Sequence, residues 1–218
     1  MKSILLIGMG KFGTIVGEKL LSHGNEVLAV DKDETKIALC SSKFTHAIST
    51  NCMNPDNLRS LNVPSFDACI VAIGDDFQSS LEITSRLKEL GAKYVISKAS
   101  TEIQKKFLLK NGADEVVYPD QDTADKLAVM VNSRKIYDYF PINDTHSIFE
   151  VEVPNDWLGK NVIEINVRQK YQINVLMVNR NEKIISSINA TFLFEKGDHV
   201  VIFGETEKLM NFTNKNIK

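Results

Sequence analysis

Ile4-Leu5-Leu6-Ile7-Gly8-Met9-Gly10-Lys11-Phe12-Gly13 decides how the rest of the chain is read, because an apolar strand runs straight into G-x-G-x-x-G. Each glycine has a mechanical task. Gly8 permits a tight turn, Gly10 lets the main chain approach a pyrophosphate, and Gly13 lets the following helix pack closely on the strand. Free N–H groups and the positive end of the helix dipole then favour phosphate oxygens. Eighteen residues past Gly13, Asp31 closes the stretch Val27-Leu28-Ala29-Val30. A short anionic side chain there accepts a hydrogen bond from a ribose 2′-OH and repels a 2′-phosphate, which favours NAD(H) or an adenosine phosphate over NADP. The helical pattern of Phe12, Ile15, Val16 and Leu20 and the second strand ending in an acid supply the context that a lone glycine motif lacks.

Outward from that motif, the chain alternates strand and helix to about residue 120. Strands are expected over 3–7, 26–30, 46–49, 68–72, 94–97 and 115–118. They are short, β-branched and mostly apolar, as strands covered on both faces of a parallel sheet must be. Helices are expected over 11–22, 33–42, 54–61, 77–90 and 101–110, with Gly24, Gly91 and Gly112 just past three of them at left-handed caps. The fold class is α/β, a Rossmann-like doubly wound parallel sheet followed by a small α+β C-terminal domain. Ala72-Ile73-Gly74 ends the fourth strand, where such sheets open their ligand crevice.

A further helix over 123–137 carries Leu127, Met130 and Val131 and stops at Asp138-Tyr139-Phe140-Pro141, which reads as a hinge. Beyond it, strands over 147–153, 173–179, 183–187 and 199–203 surround one helix over 162–170, and the last residues read as a polar Asn/Lys-rich tail. The expected organisation is a nucleotide-binding domain with crossover helix over 1–136, a hinge over 137–145 and a C-terminal domain over 146–214.

A formal charge of -2 from 26 basic and 28 acidic residues argues against nucleic-acid binding by a charged face, so phosphate recognition must be local. Cys40, Cys52 and Cys69 fit neither a disulfide framework nor a C-x-x-C site and read as free thiols in a reducing cytosol. His23, His46, His146 and His199 lack metal-ligand spacing. No stretch approaches the ~18 apolar residues of a membrane span, so a cytoplasmic location is expected.

Several stretches in order carry a family likeness: GMGKFG at 8–13, EVLAVDKD at 26–33, CIVAIGDD at 69–76, YVISKAS at 94–100, GADEVVYPDQD at 112–122, and the pair NVIEINVRQKYQINVLMVNR at 161–180 and FEKGDHVVIFGE at 194–205. Nearly the whole chain resembles the regulator of conductance of potassium (RCK) family, Ktr/Trk type, cytosolic regulatory subunits of potassium channels and transporters. The resemblance implies a sensor that is not an enzyme. It implies a homodimer assembling into an octameric ring, peripheral on the inner face of the membrane beneath a membrane-embedded potassium channel or transporter subunit. Bound nucleotide, ATP/ADP or NAD(H), would change ring geometry and so control K+ flux.

The resemblance also implies site residues. Gly8, Met9, Gly10, Lys11, Phe12 and Gly13 form the phosphate loop, with Lys11 where the family commonly has arginine; lysine keeps the charge without the bidentate fork. Asp31 and Lys32 carry over as the ribose side, Asn51 and Cys52 as neighbours of the adenine, and Lys98 as a lysine near the phosphates. Asp120 matches an acid that helps hold a divalent cation, Mg2+ or Ca2+, at the dimer interface through oxygen ligands. In the C-terminal module Ile163, Arg168, Ile173 and Asn174 match positions that bind cyclic di-AMP in some relatives, whereas Met177 and the lack of a proline near Ala190 depart from those versions.

Plainer roles stand beside these. Asp75, Asp76, Asp120 and Asp122 suit helix N-termini, Lys98 suits a solvated surface, Arg168 can pair with Glu164 a turn earlier, and Trp157 suits a core. An NAD-dependent oxidoreductase and a nucleotide-sensing adaptor for another partner are the alternative functions. The first needs a proton donor or acceptor beside the nicotinamide, and the C-terminal 70 residues offer no His/Asp, Lys/Tyr or Ser/Tyr pair assignable to it.

Overall fold

The computed structural model describes residues 1–44, 46–133 and 135–216, in two units, Met1–Gln121 and Asp122–Lys218. In the first unit, strands β1 (Ser3–Ile7), β2 (Glu26–Asp31), β3 (His46–Ser49), β4 (Ala68–Val71), β5 (Val95–Lys98) and β6 (Glu115–Val117) form one parallel sheet in the order β3-β2-β1-β4-β5-β6. Helices α1 (Lys11–Ser22), α2 (Glu34–Cys40), α3 (Pro55–Ser60), α4 (Phe77–Glu89) and α5 (Glu102–Lys110) connect the strands. The alternation along β1 explains the two helical layers. Ile4 and Leu6 join one apolar cluster with Val27, Ala29 and Ile70, while Leu5 and Ile7 join another with Val30, Val71 and Val95. Both faces of the strand are therefore buried, and each such side chain contributes about 1.5–3 kcal/mol by leaving water.

Local chemistry sets the helix ends. Side chains of Asp33, Asn54, Asp76 and Thr101 accept from the first-turn N–H groups of α2, α3, α4 and α5. Gly24, Gly91 and Gly112 stop α1, α4 and α5 with φ of 77°, 85° and 111°. The six-strand, doubly wound expectation is borne out.

Helix α6 (Pro119–Asn132) runs across the division between the units. The second unit then holds β7 (Ile136–Pro141), β8 (His146–Glu152), α7 (Val162–Ile165), α8 (Val167–Tyr171), β9 (Asn174–Arg180), β10 (Lys183–Ile185), β11 (His199–Glu205) and α9 (Thr206–Asn216). Its strands pair antiparallel in the order β10-β9-β11-β8-β7. Trp157, Phe149, Phe194, Ile202, Leu209 and Phe212 centre its core. Trp157 is wholly buried against the rings of Tyr171, Phe194 and Phe212, as the plainer reading of that residue expected.

Four sequence expectations differ from the structure here. The stretch expected as a hinge over 137–145 is strand up to Pro141: Ile136–Pro141 pairs with β8 as an edge strand, a position that tolerates Pro141. The helix expected over 123–137 runs instead over Pro119–Asn132, and Tyr137 belongs to β7. The helix expected over 162–170 breaks at Asn166, which takes the left-handed conformation at φ 54° and separates α7 from α8. The polar tail folds as α9, which buries Leu209, Phe212 and Thr213 at helical spacing.

Candidate nucleotide-binding site

The strand order reverses between β1 and β4, and a parallel sheet opens a crevice at the carboxyl ends of its strands at such a point. A cavity of about 220 Å³ lies there. Its walls include Gly8 and Gly10 after β1, Asp31 and Lys32 at the end of β2, Asn51 and Cys52 after β3, and Ala72, Ile73 and Gly74 after β4. Nine residues singled out from sequence are thus brought together.

The glycines act as their positions require. Gly8 has φ 101°, and its N–H donates to the Val30 carbonyl at 2.8 Å, pinning the turn to β2. A Cβ on Gly13 would lie 1.9 Å from the Gly8 carbonyl oxygen, so α1 reaches this close to the turn only with glycine there. Around Gly10 a Cβ would meet nothing within 4 Å. Helix α1 starts at Gly10 with no side-chain cap and no acid in its first turn, which leaves the helix N-terminus open to an anion.

Asp31 is only 7% exposed, and main-chain donors hold its carboxylate. Oδ2 accepts from the Met9 N–H at 2.7 Å and Oδ1 from the Asp33 N–H at 2.9 Å, while the Lys36 amine lies 3.9 Å from Oδ2. The acid therefore ties the glycine turn to the end of β2, and its carboxylate has lone pairs beyond those two bonds to accept further donors. Lys32, exposed, lies 3.9 Å from Asp76. Asp76 caps α4 through the Ser79 hydroxyl at 2.6 Å and N–H at 3.0 Å, and those two bonds hold its carboxyl below the usual range. Cys52 is buried at the crevice wall, and burial pushes its thiol up to about 12, so it is a neutral wall and not a nucleophile. All three cysteines are free and buried, as expected.

The other sequence-derived residues sit beside the cavity lining. Met9 is buried in the core, Phe12 packs against the same cluster, and Lys11 is exposed at the start of α1. The Lys98 amine stands 5.5 Å from the centre of the Phe12 ring, and a Cβ on Gly74 would come within 3.1 Å of it. Gly74 therefore leaves room for Lys98 beside the α1 N-terminus. The structure adds Lys36, Thr50, Met53, Asp75, Asp76, Ser79 and Ile83 to the lining. The loop after the third strand and the first turns of the helix after the fourth were the signals for several of them, since the strand order brings both to one place.

Two groups are not part of the crevice lining. Asp120 is exposed in the first turn of α6 and outside the crevice lining, and among the described residues no cluster of three His, Cys, Asp or Glu side chains is arranged to hold a metal ion. In the second unit Ile163 and Arg168 are exposed and Asn174 half-buried, but Ile173 is wholly buried in the core. A side chain with no surface cannot sandwich an adenine, so Ile173 is corrected to a packing residue. The Glu164 carboxylate accepts from the Asn161 N–H in a capping box, in place of the expected pairing with Arg168.

Known proteins agree with this layout. The TrkA-N domain model matches residues 4–119 and the TrkA-C domain model residues 148–215. The Ktr system potassium uptake protein C of Bacillus subtilis is 31% identical over 98% of this chain and 97% of its own, and protein A of the same organism is 33% identical over 98% and 96%. Among solved structures, the GsuK channel bound to NAD superposes with a TM-score of 0.71 at 15% identity, covering 100% of this chain and 40% of that one; the GsuK RCK domain gives 0.68 at 14%, covering 100% and 48%. The chain thus spans half or less of those two chains, and at these identities they speak to fold alone. With a TrkA-N domain over more than half its length and relatives above 30% identical from end to end, the chain belongs to the Ktr/Trk family of RCK-type potassium uptake proteins.

Proposed function

We propose that this protein is the nucleotide-sensing gating subunit of a potassium transport system, cytoplasmic and peripheral to a membrane-embedded partner. The carrying observation is the crevice at the β1/β4 switch point, whose wall holds both an uncapped helix N-terminus and the main-chain-held Asp31. An adenine nucleotide, ADP or ATP or NAD(H), lies with its phosphates at the α1 N-terminus near Lys98, its ribose at Asp31 and its base along Asn51, Cys52 and Met53. Binding regulates transport only if two arrangements of the assembled subunits bind the nucleotide unequally, because equal affinity shifts no equilibrium. A homodimer building an octameric ring supplies those arrangements.

A sensor fits better than an oxidoreductase. The relatives that match this chain from end to end are potassium uptake proteins, which supports that reading, and among the described residues the crevice lining holds no His or Tyr beside its buried thiol. Calorimetric titration with ADP, ATP and NADH is expected to show saturable binding with no loss of NADH absorbance. Asp31→Ala is expected to weaken it about tenfold or more, the loss of a charged hydrogen-bond acceptor. Absence of binding at millimolar nucleotide overturns the reading. Co-purification with a potassium transporter subunit, and K+ flux that responds to nucleotide, separate a gating role from that of an adaptor for another partner.

A further inference from the structure

One crevice wall is held by a residue outside the cavity lining. Arg86, in the last turn of α4, donates from its guanidinium to the carbonyl oxygen of Met53 in the loop after β3. The other arm of the fork donates to Glu82 Oε2 at 2.9 Å, one turn back on the same helix, which fixes the direction in which the fork points. Met53 lines the crevice with Asn51 and Cys52, and α4 contributes Ser79 and Ile83 to the same cavity. Within the loop, Asn51 Oδ1 accepts from the Met53 N–H at 3.0 Å, and the Asn51 carbonyl accepts from Asn57 Nδ2 at 3.1 Å. Those local bonds set the shape of the loop. The Arg86 bond sets its distance from α4.

We infer that Arg86 is a positioning residue that fixes the width of the base-binding end of the crevice, and with it the preference for adenine over guanine, whose 2-amino group needs more room. The inference rests on the nucleotide reading above. Neither methionine nor lysine reproduces the arginine geometry: methionine keeps most of the stem and no donor, while lysine keeps charge and donors but has no planar fork to span Glu82 and Met53 together.

The test is calorimetric titration of the intact protein with ADP and, separately, GDP, for the parent, Arg86→Met and Arg86→Lys. The expected result for Arg86→Met is a fall of about tenfold in the ADP-to-GDP affinity ratio, the equivalent of one charge-assisted hydrogen bond, with Arg86→Lys intermediate. A merely structural role lowers both affinities together and leaves the ratio unchanged, and that result overturns the inference. Should Arg86→Met fail to fold, the ratio measured on Arg86→Lys decides in the same way. A parent that binds neither nucleotide overturns the nucleotide reading and this inference together, whereas a parent that binds ADP beside variants with its ratio overturns this inference alone.

Discussion

At Gly13 and Gly10 one motif sets two opposite demands, and alanine distinguishes them. A methyl on Gly13 collides with the Gly8 carbonyl at 1.9 Å, backbone that cannot yield without moving the turn. Overpacking of this kind costs about 1–3 kcal/mol, against a gain of at most about 1 kcal/mol in helix propensity. Gly13→Ala is therefore expected to lower the melting temperature and weaken nucleotide binding together. A methyl on Gly10 meets nothing within 4 Å, and the backbone there is extended at φ -73° and ψ -173°. Gly10→Ala should keep the parental melting temperature yet lose affinity about tenfold, or 1.4 kcal/mol, because in the proposed placement the methyl would stand where the phosphates approach. Thermal unfolding and ADP titration of the two variants check both halves. Residues of this kind were legible in the chain because spacing alone encodes their task. Lys36, Thr50 and Ser79 were not, since only the strand order brings them to the crevice.

At the scale of elements, Asp114 shows how side chains hold neighbouring layers in register. Lys88 on α4 donates to both of its carboxylate oxygens at 2.9 Å, and the Val95 N–H at the start of β5 donates to Oδ2 at 2.6 Å. Partial burial pushes its carboxyl up, but the Lys88 and Val95 bonds outweigh that and hold it below 3.8. A carboxyl depressed on folding contributes stability that is present above the unfolded value and lost as pH falls through the folded one. Asp114→Asn is expected to cost about 1 kcal/mol at neutral pH, a modest figure because the pair is a third exposed. The difference from the parent should shrink as pH drops below 3.8. Denaturant unfolding at pH 7, 5 and 3 measures it, and a gap that grows on acidification contradicts the assignment. Elements with strong periodicity, such as the strands of the first sheet, were readable because both faces are apolar. Helix α9 was not, because Asn and Lys outnumber the Leu209 and Phe212 that anchor it. Strand β7 was not, because Pro141 signals a break when its pairing with β8 is unseen.

For the whole molecule, the apolar clusters among the described residues are each made of side chains from one unit. Those built on Leu5, Leu6 and Leu108 fall inside Met1–Gln121, and that built on Trp157 falls inside Asp122–Lys218. Cores that share no side chains can melt separately. Nucleotide bound in the first unit should then raise only its transition, by about 2.7 kcal/mol at a hundredfold excess over the dissociation constant. The matching perturbation of the second unit is Arg180. Its guanidinium grips Asp198 with bonds of 2.7 and 2.8 Å, and Asp198 is wholly buried, so Arg180→Leu leaves a carboxylate in the interior without its counter-ion. Removing one partner of a buried pair costs about 3–5 kcal/mol. Scanning calorimetry with and without ADP should therefore show Arg180→Leu lowering one transition and ADP raising the other, with ADP affinity at the parental value. A single transition displaced by both changes would mean that the units unfold as one, and it would make the second unit part of the energetics of the nucleotide crevice.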